Sequence, residues 1–192
     1  MKSTQTPQDA RVSLTAHVAA RGAEIRAKYG PSIGWSELQA ILADHDCVRY
    51  PCELAFDSGP LLPDECAYPE QKGERPEDGF RLCVHPYFSA DPARVPVLAL
   101  YQLVAINYGS FASPEDAEVF GAEALGMARE DYYRALCAMA DEISTAHLPA
   151  DETDSGGAAG PCACAPLGGA MPGPRSRAAR PGHSDERDQP AP

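Results

Sequence analysis

The chain is poor in aromatic residues, poor in basic residues, and without a long apolar run. Aromatic residues make up 7% of its 192 residues, and 16 Lys and Arg stand against 28 Asp and Glu, a net charge of −12. Binding to nucleic acid or to anionic membranes depends on clustered Lys and Arg, so this balance argues against both partners. The longest apolar run, 95–106, contains Gln102 and is shorter than the roughly 20 residues of a membrane span.

The N-terminal residues also lack the apolar segment of about 7–15 residues that a secretory signal contains. The sequence therefore predicts a cytosolic protein. In a reducing compartment its seven cysteines would be free thiols, metal ligands or small core residues rather than disulfides.

Composition changes abruptly after His147. Residues 149–192 hold 7 Gly and 8 Pro in 44 positions, without Val, Ile or Phe, and such a segment cannot bury enough apolar surface to order itself. We therefore expect a compact domain over residues 1–148 and a disordered tail over residues 149–192. The tail has 4 basic and 6 acidic residues, so the domain holds 12 and 22 and has a net charge of −10.

The hydrophobic periodicity predicts an α+β fold. Apolar residues at helical spacing predict helices, whereas alternation predicts strands at 52–56 and 80–84, separated by a long loop at 58–79. The sum is about five helices on a two- or three-stranded antiparallel sheet. The predicted helices cover residues 8–28, 35–44, 96–108, 114–126 and 129–146, with a strand left open as an alternative for 96–108.

Within the helices the pattern also predicts which side chains face inward. Ser113 followed by Pro114 and by Asp116 is typical of a capped helix N-terminus. In the last helix Tyr133 is expected on the core side. Gln102 and Asn107 lie in the apolar helix and would need hydrogen-bond partners there, such as loop carbonyls.

Two thiols in the predicted tail form the first candidate site. Cys162 and Cys164 are spaced by one alanine in a segment where a thiol has nothing to pack against. Their thiolates could face one soft cation, and zinc, copper or iron are the candidate ions. Because two ligands do not complete a tetrahedral site, a second chain, a partner or a core residue would have to supply the rest.

A second candidate metal site combines two short segments that each contain one His and one Cys. Alternation along a strand places a cysteine and a histidine two residues apart on one face. If the segments are neighbours, they could form a tetrahedral Cys₂His₂ site; otherwise these are ordinary thiols and partly exposed histidines. The residues are His45, Cys47, Cys83 and His85.

The stretch from Glu53 to Asp78 is acidic, with eight acids against Lys72 and Arg75. Such a surface could contact a basic partner or a hard cation, although it lacks the ligand spacing of a calcium loop. A solvated loop is the alternative interpretation.

The chain contains none of the common catalytic motifs, and its order of elements over residues 35–125 is similar to the layout of small zincin metallopeptidases. In that family the apolar helix carries two His and a Glu. The corresponding stretch here, 99–106, contains neither, although an acid-rich helix follows at 116–123. The resemblance therefore implies a degenerate zincin-like domain without its metal ligands.

Taken together, the residues favour a non-enzymatic, cytosolic accessory protein that docks a protein partner through its acidic domain. The alternative is a protein that binds or delivers a soft metal ion through Cys162 and Cys164, and the zincin-like domain is a more remote one.

Overall fold

The computed structural model describes residues 7–146, with side chains from Ala10 onward. This part of the chain forms five α-helices and a three-stranded sheet, so the predicted α+β class is confirmed. The helices are α1 (Pro7–Tyr29), α2 (Trp35–Ala43), α3 (Val95–Tyr108), α4 (Pro114–Leu125) and α5 (Arg129–Ala146), and the strands are β1 (Cys52–Phe56), β2 (Ala67–Gln71) and β3 (Phe80–Val84). The predicted tail, 149–192, lies outside the described residues.

The sheet is mixed, and the prediction of a purely antiparallel sheet is wrong. Its order is β1-β3-β2, with β1 parallel to β3 and β2 antiparallel to it. The prediction failed because β2 lies inside the segment 58–79 that was expected to be a loop. The chain passes from β1 to the far side of β3, forms β2, and returns by a hairpin, which makes β1 and β3 parallel.

Alternation in β3 separates a core face from an outward face. Phe80, Leu82 and Val84 are buried towards the helices. Arg81 and Cys83 lie on the other face. Helix α3 packs against β2 and β3 and is buried on several sides, which settles the choice between helix and strand for this segment.

The two polar residues of α3 bind loop and strand backbone, as the sequence predicted. Gln102 Nε2 donates to Ala67 O at 2.8 Å. Asn107 Nδ2 donates to Cys47 O at 2.9 Å, and Asn107 Oδ1 accepts from Arg49 N at 2.8 Å. These bonds join α3 to the start of β2 and to the turn before β1.

Helix α4 makes close contacts on two sides, and each contact depends on a glycine. A Cβ atom on Gly22 of α1 would lie 2.5 Å from Phe120 O of α4. A Cβ atom on Gly121 of α4 would lie 2.1 Å from the Tyr132 ring of α5. The helices can therefore approach this closely only because neither position has a side chain.

Helix α5 has two adjacent tyrosines near its N-terminus, and the sequence pattern predicted the wrong one as a core residue. Tyr132 is fully buried and donates from its hydroxyl to Val97 O at 2.6 Å, whereas Tyr133 is among the exposed large side chains. The helix therefore lies rotated by about one residue from its predicted orientation at this end. Cys137 and Ile143, on the same helix, are buried.

No helix between Pro7 and Ala146 is both long and apolar enough to cross a membrane.

Candidate functional site

The structure does not assemble the predicted Cys₂His₂ site. His45 is exposed in the turn after α2, whereas Cys83 is fully buried in the sheet. Cys47 Sγ donates to Asp44 Oδ2 at 3.1 Å, and His85 Nδ1 accepts from Tyr87 N at 3.2 Å. Within residues 7–146, no group of three or more His, Cys, Asp or Glu side chains could hold a metal ion.

Burial also disfavours thiolate chemistry at the described cysteines. It raises the pKa of Cys47 to about 12 and the pKa of Cys83 to about 11. The thiolate is the form that attacks electrophiles and binds metals, so both thiols are poor nucleophiles and poor ligands at neutral pH. Cys162 and Cys164 lie outside the described residues and stay a prediction.

A group of titratable side chains surrounds Asp44, where α1 and α2 end. Its Oδ2 accepts from Lys28 Nζ at 2.6 Å, from Tyr29 Oη at 2.7 Å and from Cys47 Sγ. Lys28 is the main cause that lowers the pKa of Asp44, and burial is the main cause that raises the pKa of Tyr29 to about 12. Because every donor is bound to one ionised carboxylate, the group joins two helix ends and offers no free base or nucleophile.

The carboxylate of Asp116 is the centre of a group of hydrogen bonds between α1 and α4, which we call the Asp116 frame. Its side chain is fully buried and is bound by Thr15 Oγ1 at 2.8 Å and by Arg11 Nη2 at 3.0 Å. Ser113 donates to it from both N and Oγ, so the predicted helix cap is present. Burial acts to raise the pKa of Asp116, but the bonds from Ser113 and Thr15 and the charge of Arg11 outweigh burial and lower it.

The ion pair between Arg11 and Asp116 lies beside two exposed apolar residues, Val12 of α1 and Phe111. Arg11, which is bound to Asp116, also donates from Nη1 to Phe111 O at 3.3 Å. The Phe111 side chain is 81% exposed, and Val12, the next residue after Arg11, is 65% exposed. We call these two residues the apolar tip. The Phe111 carbonyl is bound while its side chain lies in solvent, where another molecule can contact it.

The sequence could not reveal the tip, because the tip depends on the contact between Arg11 and Asp116, which lie far apart along the chain. The local signal in the sequence was the capping pattern at Ser113. This pattern predicts the bonds around Asp116 but not that the Phe111 side chain is exposed.

The outer edge of β2 is partly blocked. His85 N donates to Cys66 O at 2.8 Å and Lys72 N donates to Gly79 O at 3.0 Å, so the antiparallel alternation turns the backbone groups of Ala67, Pro69 and Gln71 away from β3. Of these, Ala67 O is bound by Gln102, and Pro69 has no N–H to offer. Proline in an edge strand is a common protection against pairing with another strand.

The outer edge of β1 is open. Phe80 N donates to Pro51 O at 2.7 Å and Asp57 N donates to Val84 O at 3.0 Å, so the odd-numbered residues bond to β3. The N–H and C=O groups of Cys52, Leu54 and Phe56 therefore point away from the sheet. In the part of the chain that the structure describes, no strand pairs with this edge.

The side chains of the same three residues form a partly exposed apolar row. Cys52, Leu54 and Phe56 pack against the core without being fully buried, and the Phe56 ring stacks on Trp35 with centroids 5.9 Å apart. The core-facing residues of β3 are buried, so the helices cover the centre of the sheet and leave the β1 side partly uncovered.

The predicted acidic stretch is partly neutralised on the outward face of the sheet. Glu53, Arg81 and Glu70 lie in register across the strands. Arg81 also contacts Asp57 at 3.1 Å, and Lys72 contacts Glu53 at 2.8 Å. Much of this surface is therefore a network of ion pairs rather than a uniform acidic patch.

Comparisons with protein-family models, with curated proteins and with solved structures gave no match to this chain.

Proposed function

We propose that the protein is a non-enzymatic, cytosolic accessory protein that docks a protein partner. The observation that carries this proposal is the apolar tip, Val12 and Phe111, exposed on a backbone that Arg11 and Asp116 hold in place. Because the backbone carbonyl of Phe111 is already bound, binding a partner would mainly have to order the two side-chain torsions of Phe111, which limits the entropic cost.

The charge of the domain indicates the partner's chemistry. Residues 1–148 have a net charge of −10. A partner with an apolar pocket for Phe111 and a basic rim would therefore be attracted at long range and held at short range.

The experiment compares the tip with a matched apolar residue elsewhere. Leu62 is 56% exposed and lies in the segment that contacts the end of α5 through Asp64 and Ser144. Wild type, Phe111→Ser and Leu62→Ser would each be used to purify bound proteins from cells of the source organism, with quantitative mass spectrometry. Each protein retained in stoichiometric amount would then be purified and its affinity measured by calorimetry.

The proposal expects one protein that binds wild type and Leu62→Ser alike and binds Phe111→Ser at least tenfold more weakly, since a central aromatic contact is worth about 2 kcal/mol or more. Equal binding to all three variants would show that the tip is not the docking surface. The absence of any stoichiometric partner would contradict the docking function itself.

A second candidate function is binding of a soft metal ion by Cys162 and Cys164. The support for this candidate is the sequence, which places two thiols one alanine apart in a segment where a thiol has nothing to pack against. Elemental analysis of protein purified under reducing conditions should then find stoichiometric zinc, copper or iron, which the Cys162→Ser/Cys164→Ser variant lacks. Equal metal content in both proteins would refute this candidate.

A further inference from the structure

We infer that β1 pairs with β1 of a second copy of this chain, in an antiparallel arrangement centred on Leu54, which joins the two sheets into one. The outward N–H and C=O groups of Cys52, Leu54 and Phe56 can bond a strand with the same alternation. A second β1 edge has that alternation. This interface is separate from the apolar tip, so it stands or fails independently of the proposed docking function.

Symmetry favours the antiparallel arrangement. A two-fold axis perpendicular to the sheet relates two antiparallel β1 strands and keeps both apolar rows on the same face. Each row is then continued by the other across the axis. A parallel pair would need an axis along the strands, which would place the two rows on opposite faces of the joined sheet.

Charge selects the register among the antiparallel alternatives. Centring on Glu53 would place Glu53 opposite its own copy, and centring on Ala55 would place Glu53 opposite Asp57. Like charges directly opposite each other destabilise a sheet. Centring on Leu54 places Glu53 opposite Ala55 instead, so it avoids both repulsions.

The same register matches the apolar side chains. Leu54 meets Leu54 of the second copy, and Cys52 meets Phe56 of the second copy. These are the side chains that the helices leave partly exposed. Pairing would therefore satisfy the open backbone groups and pack the two apolar rows side by side in one step.

The first test uses the full chain in sedimentation equilibrium over a dilution series. Wild type should populate a species of twice the mass of one chain. Leu54→Pro should be monomeric, because it removes the central outward N–H without removing a bond to β3. Leu54→Ala keeps that N–H and is the matched control, which should still dimerise, although more weakly. A wild type that stays monomeric throughout the series would overturn the inference.

The second test uses charge and does not depend on whether Leu54→Pro folds. In the proposed register residue 55 faces Glu53 twice in each dimer. Ala55→Lys should therefore tighten the dimer by roughly fivefold, and Ala55→Glu should weaken it by a similar factor. A general loss of folding would weaken both variants, so opposite shifts exclude that cause. Equal dissociation constants for the two variants would place any dimer contact elsewhere and overturn the inference.

Discussion

The two outer strands of the sheet flank the same central strand. They differ in whether their outward backbone groups are free to bond another strand. Leu54 of β1 and Pro69 of β2 both lie in register with Leu82 of β3. At this level β2 has a residue without an N–H, whereas β1 has a leucine whose N–H points away from β3. Gln102 adds a bond to Ala67 O on the β2 side. In the part of the chain that the structure describes, the β2 edge is therefore partly blocked against another strand, and the β1 edge is not.

The largest expected loss of stability is at Asp116, which lies away from both edges of the sheet. Asp116→Ala removes the carboxylate half of the capping box of α4 and the link to α1, so the free energy of unfolding at pH 7 should fall by about 2–3 kcal/mol. Urea denaturation would measure this loss. The exposed neighbour provides the control, Glu115→Ala, which should change stability by less than about 0.5 kcal/mol.

The Asp116 effect should also depend on pH in one direction. The folded-state pKa of Asp116 lies below its ordinary value near 4, so the ionised carboxylate stabilises the folded protein. This contribution is fully present above about pH 4 and is lost as the pH falls through the folded-state pKa. The stability difference between wild type and Asp116→Ala should therefore shrink below pH 4. A difference that stays constant to pH 2 would contradict the role of the charge.

A smaller effect is expected when the bond that closes the β2 edge is removed. Gln102→Leu leaves Ala67 O without its donor and should lower the free energy of unfolding by about 1–2 kcal/mol. Amide exchange should accelerate in β2 more than in β1. The exposed glutamine of α2 gives the matched control, and Gln39→Leu should leave stability and exchange nearly unchanged. Equal losses in the two variants would mean that the bond to Ala67 does not protect β2.

The smallest change in stability, and the most direct test of the comparison, comes from Pro69→Val. Valine fits an edge strand and restores the missing N–H, so the free energy of unfolding should change by less than about 1 kcal/mol. The chain would then have two open edges and should form oligomers larger than those of wild type in sedimentation velocity. Pro76→Val, in an exposed turn, is the control. Unchanged sedimentation of Pro69→Val would show that proline is not what closes this edge.

The helices and two strands could be predicted because their signals are local. The Ser113 cap and the alternation of 80–84 each specify an element within a few residues. Strand β2 was missed because Ala67, Pro69 and Gln71 do not form an apolar row, and a proline inside the segment argues against a strand. It is a strand because β3 and Gln102 supply its partners, and those contacts are long-range.

The candidate surfaces were harder to predict than the fold. Alternation at 52–56 identified β1, but it could not show which edge would be left unpaired, since that depends on the position of β2. Phe111 follows a glycine and a serine in what reads as a plain connection, and only the contact with Arg11 shows that it is held in place. The tail thiols remain a prediction from sequence alone.

The close approach of α4 to its two neighbours also has an evolutionary consequence. At Gly22 the contact is made with the backbone of α4, and at Gly121 with the ring of a buried tyrosine, so no rotamer change of a new side chain could relieve a clash. Loops, surface charges and even the edges of the sheet can diverge more freely than these positions. Distant relatives should therefore retain the pair of glycines together with the tyrosine after most other identities have been lost, and this triplet is the pattern by which they could be found.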